Sequence, residues 1–154
     1  MGQIQTKIAL SNPRKAELDP LEVEALVDTG AATLCIPEHV AIQLNLEVLE
    51  QREVTTTDGN KHKCDYVGPV QIRFGNRSCF SGALVLGDSV LLGAIPMDDM
   101  DLVIRPLDRK VSVKPESPNI PSATVKKNTL LPVHGNQFGR GYWKPRFFIH
   151  CWSN

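Results

Sequence analysis

Apolar residues recur at every second position in several short runs of this chain, a period that predicts strands rather than helices. Gln3–Leu10 alternates in this way and is closed by Ser11-Asn12-Pro13. The stretch Asn12–Pro20 is charged and holds two prolines, so it reads as a connecting loop. Leu21–Val27 returns to strand, with Val23, Ala25 and Val27 on one face and Leu26 on the other. After Asp28-Thr29-Gly30-Ala31-Ala32 comes a second short apolar run, Thr33-Leu34-Cys35-Ile36. From Pro37 the spacing changes: Val40, Ala41 and Leu44 fall on one helical face, predicting a short helix over 37–45. Pro37 suits its first position, and Glu38 suits its positive end.

Glu53–Val67 predicts a hairpin. Thr55-Thr56-Thr57 and Lys61–Tyr66 are good strand formers on either side of Asp58-Gly59, a favoured two-residue turn. Its flanks are polar, so it is expected to project from the body. Val70–Phe74 alternates cleanly, Gly75-Asn76 turns it, and Cys79–Leu86 follows as a strand. Val90-Leu91-Leu92-Gly93 is apolar throughout and is expected to be buried on both sides. Ile95–Leu102 reads as a short helix opened by Pro96, and Leu102–Ile104 and Lys110–Val113 close the folded part. Many short strands, tight turns and two small helices predict an all-β domain, a small, partly closed barrel with a projecting hairpin.

Composition adds a boundary. The chain has 154 residues, with 17 basic and 17 acidic side chains. This is enough for one domain with a real core. The balance hides an asymmetry: residues 117–154 carry five basic residues and no acidic one, and the remainder is negative by the same amount. That tail also holds six of the nine aromatics. A folded domain over 1–113 and a Pro-rich linker with a basic, aromatic tail over 114–154, expected to lack fixed structure, follow from this shift. The neutral whole makes no electrostatic claim on nucleic acid or membrane, and no apolar stretch is long enough to span a bilayer. Cys35, Cys64, Cys79 and Cys151 show no paired spacing, which argues for free thiols in a reducing, cytoplasmic setting and against a zinc site. Asp98, Asp99 and Asp101 read as solvated carboxylates, since the other ligands of a calcium loop are missing.

One position stands apart. Asp28 follows the apolar run Leu26-Val27 and precedes Thr29-Gly30-Ala31, so a buried strand delivers a carboxylate onto a tight loop. An acid placed there needs a compensating partner or has chemistry to do. A turn-capping Asp is the alternative on the triplet alone. Taken in order, Leu26–Ala31, the hairpin at Asp58-Gly59 and Leu91-Leu92-Gly93 ahead of a short helix resemble the retropepsin-like aspartic peptidases, single-domain relatives of retroviral protease and pepsin.

The resemblance covers residues 1–113, and it implies a mechanism. Two Asp-Thr-Gly loops meet across a two-fold axis with one water between their carboxylates, and this chain has one such triplet, so it implies a homodimer. Asp28 would be catalytic, one copy taking a proton from the water and its mate polarising the scissile carbonyl of a polypeptide substrate. Thr29 would brace the opposite loop, Gly30 would let backbone approach closely, and Ala31 and Ala32 would complete the loop. Thr57, Asp58, Gly59 and Asn60 would form a flap closing over the peptide, and Leu91, Leu92 and Gly93 the floor. No cofactor or metal is implied. Two charges usual in the family are absent, being replaced by Ala32 and Ala94, and Gly59 is the flap's only glycine. A weakly active or inactive peptide-binding or dimerisation module of the same fold is the alternative reading.

Overall fold

Strand β1 (Ile4–Ser11) pairs antiparallel with β2 (Leu21–Val27), Ile8 opposite Val23 and Leu10 opposite Leu21. The computed structural model describes residues 3–125, and its elements all lie in the first of the chain's two units, Met1–Thr124. The basic, aromatic residues 126–154 lie outside the described residues, as does Cys151. After β3 (Leu34–Ile36) and α1 (Glu38–Gln43) come β4 (Glu47–Thr55), β5 (Lys61–Phe74) and β6 (Arg77–Val85). Then follow β7 (Val90–Leu92), α2 (Ala94–Asp99), β8 (Leu102–Arg105) and β9 (Lys110–Val113).

Six strands form a ring in the order β1-β2-β7-β3-β6-β5, and β5 returns to β1 through the pairs Ala9–Arg73, Leu10–Ile72 and Ser11–Gln71. The barrel is therefore closed, more completely than the partly closed one expected, and the all-β class stands. Alternation explains the core. Ile8, Leu10, Ala25, Val67, Val70, Ile72, Cys79 and Ala83 point inward along their strands, while β3 is buried throughout. Val40, Ala41 and Leu44 of the α1 region and Met97 and Met100 of the α2 region join the same core. Strands β8 and β9 make a separate hairpin whose Leu102 and Val111 are buried.

Several boundaries differ from expectation, each for a local reason. Helix α1 stops at Gln43 because Asn45 adopts φ 49°, and Asn12 donates from Nδ2 to the carbonyls of Leu44 and Asn45, both at 3.0 Å. This satisfies acceptors that a helix end leaves open. Helix α2 ends before Asp101, at φ 53°, so Leu102 belongs to β8 alone. Strand β5 runs unbroken through Pro69, where the sequence suggested two segments, with a register shift between Val67 and Val70.

Residues 114–122, read from the sequence as the start of a linker, are tied to the barrel. The buried Arg77 donates from Nη2 to the Ser117 carbonyl, and Asn76 Nδ2 donates to the Pro118 carbonyl at 3.0 Å. Asp101 accepts from the hydroxyl of Ser117 and from both the amide and hydroxyl of Ser122, the last two at 2.9 Å. These bonds, led by that from Ser117, hold its carboxyl down at about 2. Asp101 is thus an anchor rather than a freely solvated acid, whereas Asp98 and Asp99 are exposed.

Candidate active site

Asp28 continues the β2–β7 ladder by one residue: its amide donates to the Leu92 carbonyl at 3.1 Å. The chain then turns sharply. Ala31 N–H donates to the Asp28 carbonyl at 3.1 Å, and Gly30 N–H donates to Asp28 Oδ1 at 2.9 Å, fixing the carboxylate against its own loop. A Cβ at Gly30 would stand 3.1 Å from that oxygen, so glycine leaves the carboxylate its place. The loop's far side is bonded to α2, with Ala94 N–H to Ala31 O at 2.8 Å and Ile95 N–H to Ala32 O at 2.9 Å.

Gly93 closes this unit. An added Cβ would lie 2.3 Å from the Thr33 carbonyl oxygen and 2.7 Å from that of Ala31, so no side chain fits there. Leu92 is fully buried below, but Leu91 is only half-buried, against the expectation for its run. It pairs with Leu26 and Cys35 and turns toward an open cleft.

That cleft has a volume of about 440 Å³. Asp28 and Gly30 to Thr33 line one side, Cys35, Leu84, Leu86 and Leu91 form an apolar wall, and Val54 to Thr57 of the hairpin face them. Asp28, Thr29, Gly30 and Ala32 are exposed in the single chain and Ala31 is half-buried. Of the twelve residues the sequence singled out, six border the cleft: Asp28, Gly30, Ala31, Ala32, Thr57 and Leu91. Thr29 lies on the loop but outside the cleft lining, and Leu92 and Gly93 lie beneath it.

Asp58, Gly59 and Asn60 form the hairpin tip instead. The turn is a five-residue loop over 56–60, not the expected two-residue one: Thr55 pairs with Lys61, and Thr56 N–H donates to the Asn60 carbonyl at 2.9 Å. Gly59 takes φ 82°, and Asp58 accepts from the Thr56 hydroxyl and from the amide and side chain of Asn60. The bond from Thr56 foremost, then those from Asn60, lowers the Asp58 carboxyl below its ordinary range.

Thr33, Cys35, Val54, Thr55, Thr56, Leu84 and Leu86 are the cleft residues that sequence reading missed. The signal was the strand alternation of Leu84 with Leu86 and of Val54 with Thr56, combined with a register known only from the fold. Burial, then the nearby Cys64 and Asp28, raises the Cys35 thiol. Behind this wall the Arg52 guanidinium lies 3.5 Å from the Tyr66 ring centroid, and the ring covers Gly82 so closely that a Cβ there would be 2.2 Å from Cζ. No group of three His, Cys, Asp or Glu side chains among the described residues could hold a metal ion. Nor is any helix among them long and apolar enough to cross a membrane.

Residues 15–98, which span β2 through most of α2 and so the whole cleft, match the family described as "gag-polyprotein putative aspartyl protease". The chain belongs to this aspartyl protease family. Among solved structures, the solution structure of simian foamy virus (mac) protease is similar, with 16% identity and a TM-score of 0.41. The match covers 60% of this chain and 91% of that one. No curated protein sequence matches the chain. Within the family's matched segment, the loop at Asp28 carries the chain's one Asp-Thr-Gly triplet.

Proposed function

We propose that the protein is an aspartic endopeptidase whose active unit is a homodimer, with the two Asp28 carboxylates sharing one water. The observation that carries this reading is the single, exposed Asp28 on a loop bonded at both ends, at the edge of an apolar cleft faced by a hairpin. One carboxylate per chain is half of what general acid and base catalysis on an amide requires.

In the dimer one Asp28, ionised, takes a proton from the water as its oxygen attacks the scissile carbonyl carbon. The other, protonated, gives its proton to the carbonyl oxygen, yielding a tetrahedral diol. Collapse re-forms the carbonyl, breaks the C–N bond and delivers a proton to the departing nitrogen. Holding both groups in place before reaction is what lowers the barrier. Thr29 is exposed and its hydroxyl has no partner among the described residues, which suits a brace reaching to the other copy. The hairpin, with Thr57 on the cleft and Asp58 to Asn60 at its tip, would cover an extended peptide and exclude water.

Replacing Asp28 with Asn tests this. The variant is expected to keep its circular dichroism spectrum and lose turnover of a fluorogenic peptide by at least a thousandfold, of the order general acid–base groups contribute. Cleavage at the wild-type rate by that variant would overturn the proposal. Equal peptide affinity in both forms with no turnover in either would assign the fold to peptide binding instead.

A further inference from the structure

Beyond β9 the chain runs over 114–122 without helix or strand, fastened to the domain by a few hydrogen bonds. Ser117 is the centre of that fastening. Its amide donates to the Lys114 carbonyl at 3.1 Å, its hydroxyl donates to Asp101, and its carbonyl accepts from Arg77 Nη2. Ser117 is half-buried, while Pro115, Glu116, Pro118, Asn119 and Ile120 around it are exposed. Of the chain's eleven prolines, Pro118 alone follows a Ser or Thr.

Arg77 holds more donors than the domain uses. It is 2% exposed, yet among the described residues its Nε and Nη1 have no hydrogen-bond partner. Nor does any carboxylate among those residues lie within ion-pair distance of it. A guanidinium withdrawn from water without an anion is costly, and its planar fork matches a phosphate as well as a carboxylate. The residue already bonded to that fork is Ser117.

We propose that Ser117 is a phosphorylation site and that Arg77 receives its phosphate. The phosphoryl donor is a nucleoside triphosphate held by a protein kinase that accepts Pro after Ser. The Oγ–P bond to Ser117 forms and the bond from the γ-phosphorus to its bridging oxygen breaks. The nucleoside diphosphate leaves with that electron pair, and the hydroxyl proton passes to the kinase's base. Pro118 suits this encounter, since it offers no N–H and biases Ser117 toward extended backbone. Local opening of 114–122 breaks only the few bonds that fasten it, which presents Ser117 without unfolding the barrel. Once esterified, Ser117 has no proton to give Asp101. Its phosphate, of about −1.5 to −2 charge at pH 7, is repelled by that carboxylate and drawn to Arg77 Nε and Nη1. The modification trades a carboxylate partner for a guanidinium one, and it is independent of the chemistry at Asp28.

Incubation of the full chain with ATP and a proline-directed Ser/Thr kinase tests it, read by mass spectrometry and by nitrogen–proton spectra of the arginine side chains. Phosphate is expected on Ser117, absent from Ser117→Ala and reduced at least tenfold in Pro118→Ala. Because Arg77 is buried, it is left in place and observed directly: its Nε–H signal should move downfield on phosphorylation while those of the other arginines stay put. Asp101→Asn keeps a hydrogen-bond partner for the Ser117 hydroxyl and should show the same movement once phosphorylated. No phosphate on Ser117 overturns the site, and equal labelling of Pro118→Ala overturns its recognition through proline. Phosphate on Ser117 with the Arg77 signal unmoved, in wild type or in Asp101→Asn, overturns Arg77 as its receiver.

Discussion

Gly93 sits directly beneath Thr33, close enough that a single added methyl would meet the Thr33 carbonyl oxygen at 2.3 Å. The neighbours of that methyl are backbone, which cannot swing aside as a side chain could. Gly93→Ala is therefore expected to push the Asp28 loop and α2 apart, costing about 1–3 kcal/mol as overpacking does. Urea denaturation measures the loss, and turnover should fall with it if the loop positions Asp28. Unchanged stability would show that the loop can yield.

A second tight contact predicts a coupled pair. Gly82→Ala places Cβ inside the Tyr66 ring and should destabilise by a comparable 1–3 kcal/mol, roughly. In a Tyr66→Ala background the same change should cost much less, because the ring is gone. The double-mutant cycle reports this as an interaction energy of about 0.5–3 kcal/mol, and additivity within error would mean the ring does not constrain Gly82.

Acid should release the segment after β9. The Asp101 carboxyl stands at about 2 in the folded chain against 3.8 ordinarily, held there first by the Ser117 hydroxyl. Its folded value is depressed, so its contribution is complete above the ordinary value and is lost as pH falls from about 3.8 toward about 2. Hydrogen exchange at the Ser122 amide should quicken over that window and should be fast at every pH in Asp101→Ala. Slow exchange in that variant would show that Arg77 and Asn76 hold the segment without it.

The hairpin tip should behave in the same direction. The Asp58 carboxyl is lowered chiefly by the Thr56 hydroxyl, so its bonds to Thr56 and Asn60 persist above the ordinary carboxylate range and fail as pH drops through the folded value. Asp58→Ala is expected to sharpen the tip resonances as the loop gains motion while leaving the barrel's melting temperature within a degree or two, since Asp58 and Asn60 are exposed and Thr56 is only half-buried. A shift of several degrees would place the tip among the elements that stabilise the barrel.

Much of this was legible in the sequence. The alternation of Val23, Ala25 and Val27 fixed the face of β2, and the Asp28 loop declared itself by an acid at the end of an apolar run. Other features depend on partners distant along the chain. Asp101 gains its role from Ser117 and Ser122, 16 and 21 residues away, and nothing near it in sequence announces them. Leu84 and Leu86 face the cleft because β6 lies parallel to β3, a pairing that local periodicity cannot supply. The start of β4 was hidden for a different reason: Glu47–Glu53 is exposed throughout, so it has no buried face to betray its period. Leu91 was misjudged because an apolar run reads alike whether its middle residue meets core or an open cleft.

The three pairs that join β1 to β5 bring together residues some sixty positions apart, as the Ser11–Gln71 side-chain bond illustrates. Such a junction returns no energy until nearly half the chain has been gathered, so loop entropy must be met before any ladder rewards it. Assembly of this domain is accordingly a task of milliseconds to seconds, in keeping with nonlocal β architectures, and ring closure is the step expected to set its pace.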